Sequence, residues 1–157
     1  MDIQISSNFE RLLFEAAGRD AAAIRTMMAG LAQSGRFTID SKPLQAIRDL
    51  FSAGRSDMDE TAETIRSVLA SDNYLADPHT AVALAVARRQ PASQTPMIVL
   101  STAHPAKFPD AVKAASGVDP ALPAFLSDLM SRQEKFSVLP STLEMVQRHI
   151  EDKARVA

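Results

Sequence analysis

Apolar positions recur along this chain mostly at helical spacing. Phe9, Leu12, Leu13 and Ala16 share one face behind Ser7 and Glu10, which stand at capping-box separation, and Gly18 follows as a stop. Asp20 can cap a second helix carrying Ile24, Met27, Met28 and Leu31, with Gly35 after it. Ser41 ahead of Pro43 marks a short third helix with Leu44, Ile47 and Leu50, because proline suits a first turn. Asp57 and Glu60 repeat the capping-box spacing before Ile65, Val68 and Leu69. Asp77 and Pro78 then pair an N-cap with a proline at the first helical position. The run behind them, Ala81 to Ala87, is apolar all round and predicts a buried helix.

Strand signals are few. Met97-Ile98-Val99-Leu100 is a continuous apolar run after Pro96, the pattern of an interior strand covered by helices on both faces. Phe51 to Ser56 reads as a short strand, and Met1 to Ile5 alternates like the end of a strand whose beginning is missing. After the turn at Ser101 to Pro105, Phe108, Ala111, Val112 and Ala115 predict a helix closed by Gly117. Further helices are expected over about 123–132 and 141–153, the latter with Ser141 and Glu144 as a capping box. The class is therefore α/β, rich in helix and with few strands. Two or three isolated strands cannot easily form a covered parallel sheet, so the remainder is expected from upstream in a parent chain or from a partner.

Composition narrows the chemistry. With 157 residues the chain is long enough for one core, and a single domain over 1–157 is expected. Net charge is −2 with no basic block, which leaves no electrostatic footprint for nucleic acid. No apolar run approaches bilayer length and the start is not a signal peptide, so no membrane partner and a cytoplasmic location are expected. The absence of cysteine excludes disulfides, thiol catalysis and thiolate-ligated metal. Histidines 79, 104 and 149 share no metal-ligand spacing, and no metal site is expected. The five glycines are dispersed, which rules out a Gly-rich phosphate cradle within the chain.

Three polar clusters remain. Ser101-Thr102-Ala103-His104-Pro105-Ala106-Lys107-Phe108 follows the expected interior strand, at the carboxyl end where ligands gather in open α/β sheets. Capping of the next helix by Thr102 or His104 is the simpler account from the residues alone. Asp77-Pro78-His79-Thr80 opens the apolar helix. There Asp77 and Pro78 are explained as cap and first turn, and His79 is either structural or a ligand or base. Ser6-Ser7-Asn8 lies at a helix N-terminus, where free N–H groups can receive an anion or simply be capped.

Taken in order, Ser7-Asn8-Phe9-Glu10-Arg11-Leu12-Leu13-Phe14, Asp77-Pro78-His79-Thr80-Ala81-Val82 and Thr102-Ala103-His104-Pro105-Ala106-Lys107-Phe108-Pro109-Asp110 resemble threonine synthase. Met1 to Ser6 and Tyr74-Leu75 fit the same pattern; the resemblance is weakest over 20–50 and after about 117. It implies the helix-rich C-terminal part of a fold-type-II pyridoxal-phosphate enzyme's cofactor domain. Such enzymes are lyases that convert O-phosphohomoserine and water to threonine and phosphate. The resemblance further implies that Thr102 binds the cofactor by hydrogen-bonding its pyridine nitrogen. It places Ser7, Asn8, His79 and His104 in the active-site shell without a defined role. The family's Schiff-base lysine and phosphate-binding loop are expected upstream of Met1, and Lys107 is not that lysine. No catalytic residue is therefore assigned, and this chain alone is expected to be inactive and to bind no cofactor. Its expected partner is the N-terminal portion of the same enzyme. The alternative is a non-catalytic interaction domain derived from the same fold.

Overall fold

The computed structural model describes residues 6–154. Seven α-helices are present among them: α1 (Ser7–Ala16), α2 (Ala21–Ser34), α3 (Ser41–Arg48), α4 (Met58–Asp72), α5 (Pro78–Arg88), α6 (Pro109–Ser116) and α7 (Leu143–Lys153). Short 3-10 turns lie at Pro105–Lys107, Ala124–Leu126 and Leu129–Ser131. The chain divides into two compact units, Met1–Ala121 and Leu122–Ala157.

In the first unit, α4 packs against both α5 and α6, and α1 packs against α2 and α3. The core between α4, α5 and α6 is built on Ile65, Ala76, Ala81 and Ala115, with Ala62, Leu75 and Leu84 packed around it. Alanines at the contact let helix backbones approach closely, so α5 seats against α4 through small side chains. Leu13 of α1 and Val112 of α6 are fully buried. In the second unit, α7 carries Leu143, Val146 and Ile150 at helical spacing, and all three are exposed.

Most helix starts follow the aspartates. The Asp20 side chain accepts from the backbone N–H groups of Ala22 and Ala23, Asp57 from that of Glu60, and Asp77 from that of His79. Two caps sit one residue from their expected positions: Ser6 rather than Ser7 caps α1, and Thr142 rather than Ser141 caps α7. In both places adjacent hydroxyl residues offer equivalent caps, and the backbone path selects between them. Gly117 closes α6 in the left-handed conformation at φ 76°, as its position predicts.

The expected strands do not form among the described residues. Residues 51–56 and 97–100 are without ladder partners, and Met97, Ile98 and Leu100 are exposed. A strand exists only when its N–H and C=O groups meet those of a neighbour, and the described residues offer no second strand. The expected strand at Met1–Ile5 lies outside the described residues. Residues 51–56 instead lie along the C-terminal end of α5. Arg89 donates to the Arg55 carbonyl and pairs with Glu60, and Ser52 Oγ stands 3.4 Å from Gln90 Oε1. A Cβ on Gly54 would come within 2.7 Å of Val86 Cγ1, so this approach requires glycine. The helix expected at 123–132 is replaced by the two 3-10 turns, Ala124–Leu126 and Leu129–Ser131.

α5 is buried on one face only. Thr80, Ala81 and Ala85 are inaccessible, whereas Val82, Ala83, Val86 and Ala87 are partly exposed. The all-round apolar pattern of this helix is thus matched by core on one side and an uncovered apolar face on the other.

Candidate functional site

The uncovered face of α5 is the base of a groove of about 610 Å³. Its walls come from Ser52 to Gly54 and from the apolar run Met97 to Leu100, and its polar lining includes Thr102 and His79. Two of the predicted site residues, far apart in sequence, are therefore brought to one groove.

His79 is positioned from beneath. Asp77 is fully buried, and its Oδ1 accepts from the His79 backbone N–H and lies 2.9 Å from His79 Nδ1. The Thr80 hydroxyl donates to Asp77 Oδ2. Burial pushes the Asp77 carboxyl up. Hydrogen bonds from the Thr80 hydroxyl, the His79 backbone N–H, the His79 ring and the Thr80 backbone N–H push it down. Together they prevail, and the carboxyl sits below the ordinary carboxylate value. An ionised carboxylate only accepts, so His79 carries a proton on Nδ1. The His79 ring also stacks at a tilt on Phe108, with centroids 4.7 Å apart.

Ser101 and Thr102 separate into different roles. Ser101 Oγ lies 2.8 Å from the Tyr74 hydroxyl and 3.4 Å from Thr80 Oγ1. Thr102 is exposed and lines the groove, and its hydroxyl is engaged by no side-chain hydrogen bond among the described residues. His104 has a structural role. Its Nδ1 accepts from the backbone N–H of Ala106 at 3.2 Å and so caps the turn Pro105–Lys107. Neither Thr102 nor His104 caps α6, whose N-cap position is Phe108 without a side-chain hydrogen bond; His104 caps only the turn ahead of it.

Ser7 and Asn8 lie at the start of α1. Ser7 lines a separate cavity with Glu10, Arg11, Phe14 and Ile24, and Asn8 Oδ1 accepts from Arg11 at 2.8 Å. Neither lines the groove that holds Thr102 and His79. Among the described residues no group of three or more His, Asp or Glu is placed to hold a metal ion, and no helix is long and apolar enough to cross a membrane. Gly54 carries no signal of a site in the sequence, and Tyr74 carries only its place in the family resemblance at Tyr74-Leu75. Tyr74 meets Ser101 across 27 positions and Gly54 meets Val86 through space, and neither relation leaves a local pattern.

Set beside solved structures, this helix-rich arrangement is that of the C-terminal part of a fold-type-II pyridoxal-phosphate enzyme. Comparison with known proteins agrees. Residues 80–150 match the family model described as threonine synthase, C-terminal. Threonine synthase of Pseudomonas aeruginosa is 43% identical over 152 residues, spanning 96% of this chain and 32% of that protein. The crystal structure of pyridoxal-phosphate-bound threonine synthase from Brucella melitensis superposes with a TM-score of 0.75 at 63% identity, covering 99% of this chain and 34% of that one. The yeast threonine synthase structure gives a TM-score of 0.66 at 34% identity, covering 97% of this chain and 35% of that one. The chain is similar over nearly its whole length to the C-terminal region of threonine synthases. It spans about a third of the length of the curated relatives it matches.

Proposed function

We propose that this chain supplies the C-terminal share of a threonine synthase active site, with residues 1–157 serving as one piece and the N-terminal portion of the same enzyme as partner. The observation that carries this reading is the uncommitted Thr102 hydroxyl in a groove walled by the apolar face of α5 and by Met97 to Leu100. These residues fit a flat heteroaromatic ring: the walls are apolar, and the one hydroxyl left to point at a ring atom is neutral. Thr102 would donate to the pyridine nitrogen of pyridoxal phosphate, which a hydroxyl cannot protonate in the way a carboxylic acid can. When bound, the cofactor supplies an electron sink for carbanion character on the amino-acid substrate. Val82, Val86 and Leu100 would give the ring an apolar wall, and the Asp77 cap holds the start of α5.

The activity proposed for the complete enzyme is elimination of phosphate from O-phosphohomoserine and addition of water to give threonine, in the cytoplasm. The chain by itself is proposed to be inactive and to bind no cofactor, since the lysine and phosphate-binding loop of the family are assigned to the N-terminal portion. The test is an absorbance titration with pyridoxal phosphate, with that portion absent and present, followed by assay of threonine. Binding and turnover only with both pieces support the reading. Specific binding and turnover by this chain alone overturn it.

A second reading rests on a separate observation. Met97, Ile98 and Leu100 in the first unit, and Phe125, Met130, Phe136 and Val138 in the second, are exposed apolar residues. A non-catalytic interaction domain of the same fold would use such surface to bind a partner or itself. Size-exclusion chromatography over a concentration series separates the two, because a monomer stable to dilution counts against self-association.

A further inference from the structure

The Ser101–Thr102 pair presents two neighbouring hydroxyls, and only one of them enters the groove. Ser101 Oγ lies 2.8 Å from the Tyr74 hydroxyl and 3.4 Å from Thr80 Oγ1, and the Thr80 hydroxyl donates to the buried Asp77 carboxylate. Four side chains, from the segment after α4, the start of α5 and the turn before Thr102, thus form one relay of contacts: Tyr74, Ser101, Thr80 and Asp77.

We propose that Tyr74, Ser101 and Thr80 are positioning residues that, anchored on Asp77, fix the turn so that the Thr102 hydroxyl meets the cofactor ring; this rests on the role proposed above for Thr102. The anchor is rigid, since Asp77 is 0% and Thr80 2% exposed. The outer end is weaker: Tyr74 is 41% exposed, so its bond to Ser101 is the link that substitution removes with least disturbance of the core.

The test combines the chain alone with the chain plus the N-terminal portion. In the chain alone, the methyl order parameter of Thr102 measured by NMR relaxation is expected to fall in Tyr74→Phe and Ser101→Ala. With the N-terminal portion, each variant is expected to weaken pyridoxal-phosphate binding by about 3–10-fold, the equivalent of one net hydrogen bond. Thr80→Ser, which keeps the hydroxyl, should bind as wild type. Tyr74→Phe added to Thr102→Ala should cost less than about twofold further, since the relay acts only through Thr102. The proposal is overturned if Tyr74→Phe and Ser101→Ala leave both the order parameter and the affinity unchanged. It is equally overturned if Tyr74→Phe weakens binding as much without the Thr102 hydroxyl as with it. If the wild-type pair binds no cofactor, the reading of Thr102 fails, and the order parameter alone decides whether the relay fixes the turn.

Discussion

Asp77 Oδ1 stands 2.9 Å from both the backbone nitrogen and the ring Nδ1 of His79, so a single buried oxygen caps α5 and orients the histidine. Its partner oxygen accepts from Thr80. One carboxylate thus ties the start of the helix to a side chain of the groove and to the turn that carries Thr102.

Replacing that carboxylate should be costly. Asp77→Ala removes an N-cap and leaves the buried Thr80 hydroxyl without its acceptor, which predicts a loss of about 2–4 kcal/mol. Asp77→Asn keeps one accepting oxygen and a good capping residue, and about 1–2 kcal/mol is expected. Urea denaturation checks both: the midpoint should fall while the slope stays constant.

Acid should weaken the same site. The folded carboxyl sits below its ordinary value, so its contribution is present above the unfolded value of about 3.9 and is lost as pH falls from there through the lower folded value. Thermal melts between about pH 3 and 6 should therefore show wild type losing stability toward the acid end more steeply than Asp77→Asn. Parallel curves would mean that Asp77 does not carry the effect.

Gly54→Ala should destabilise the first unit by about 1–3 kcal/mol, because the new methyl meets the stiff, β-branched Val86. The double variant Gly54→Ala with Val86→Ala should recover part of the loss relative to the sum of the single changes, which melting temperatures can read.

Ile98 is 81% exposed, so Ile98→Lys should change the chain's own stability by less than about 0.5 kcal/mol. If the apolar run is covered by the N-terminal portion, the same change should sharply reduce cofactor binding by the two pieces together. Undiminished binding would show that residues 97–100 remain uncovered in the joined enzyme.

Thr102→Ser should preserve cofactor affinity, whereas Thr102→Ala should weaken it by about 3–10-fold. An absorbance titration of the two pieces measures this, and equal affinity of both variants would remove Thr102 from the ring.

Much of this organisation was legible in the residues because it is local. Asp20, Asp57 and Asp77 cap helices through hydrogen bonds to N–H groups two or three positions on, so the pattern is complete within a few residues. The same locality misplaced the caps at Ser7 and Ser141, since neighbouring hydroxyls satisfy one short-range rule equally well. Thr102 and His79 were legible as candidates from ordered motifs, but motif order says nothing of distance; their meeting at one groove depends on α5 folding back against α4.

By itself, then, the sequence determined where six of the helices begin and end to within a residue or two, which family the chain resembles, and which side chains could carry chemistry. Each of these is written in spacings of a few positions or in motif identity. Tertiary structure decided the remainder. Met97 to Leu100 has every intrinsic feature of a strand, yet it forms no ladder, because strand pairing is a bond between distant segments and the described residues supply none. Ser101 and Thr102 are chemically alike and adjacent. Only the approach of Tyr74 and Thr80, from positions 27 and 21 residues away, turns one hydroxyl inward and leaves the other to the groove.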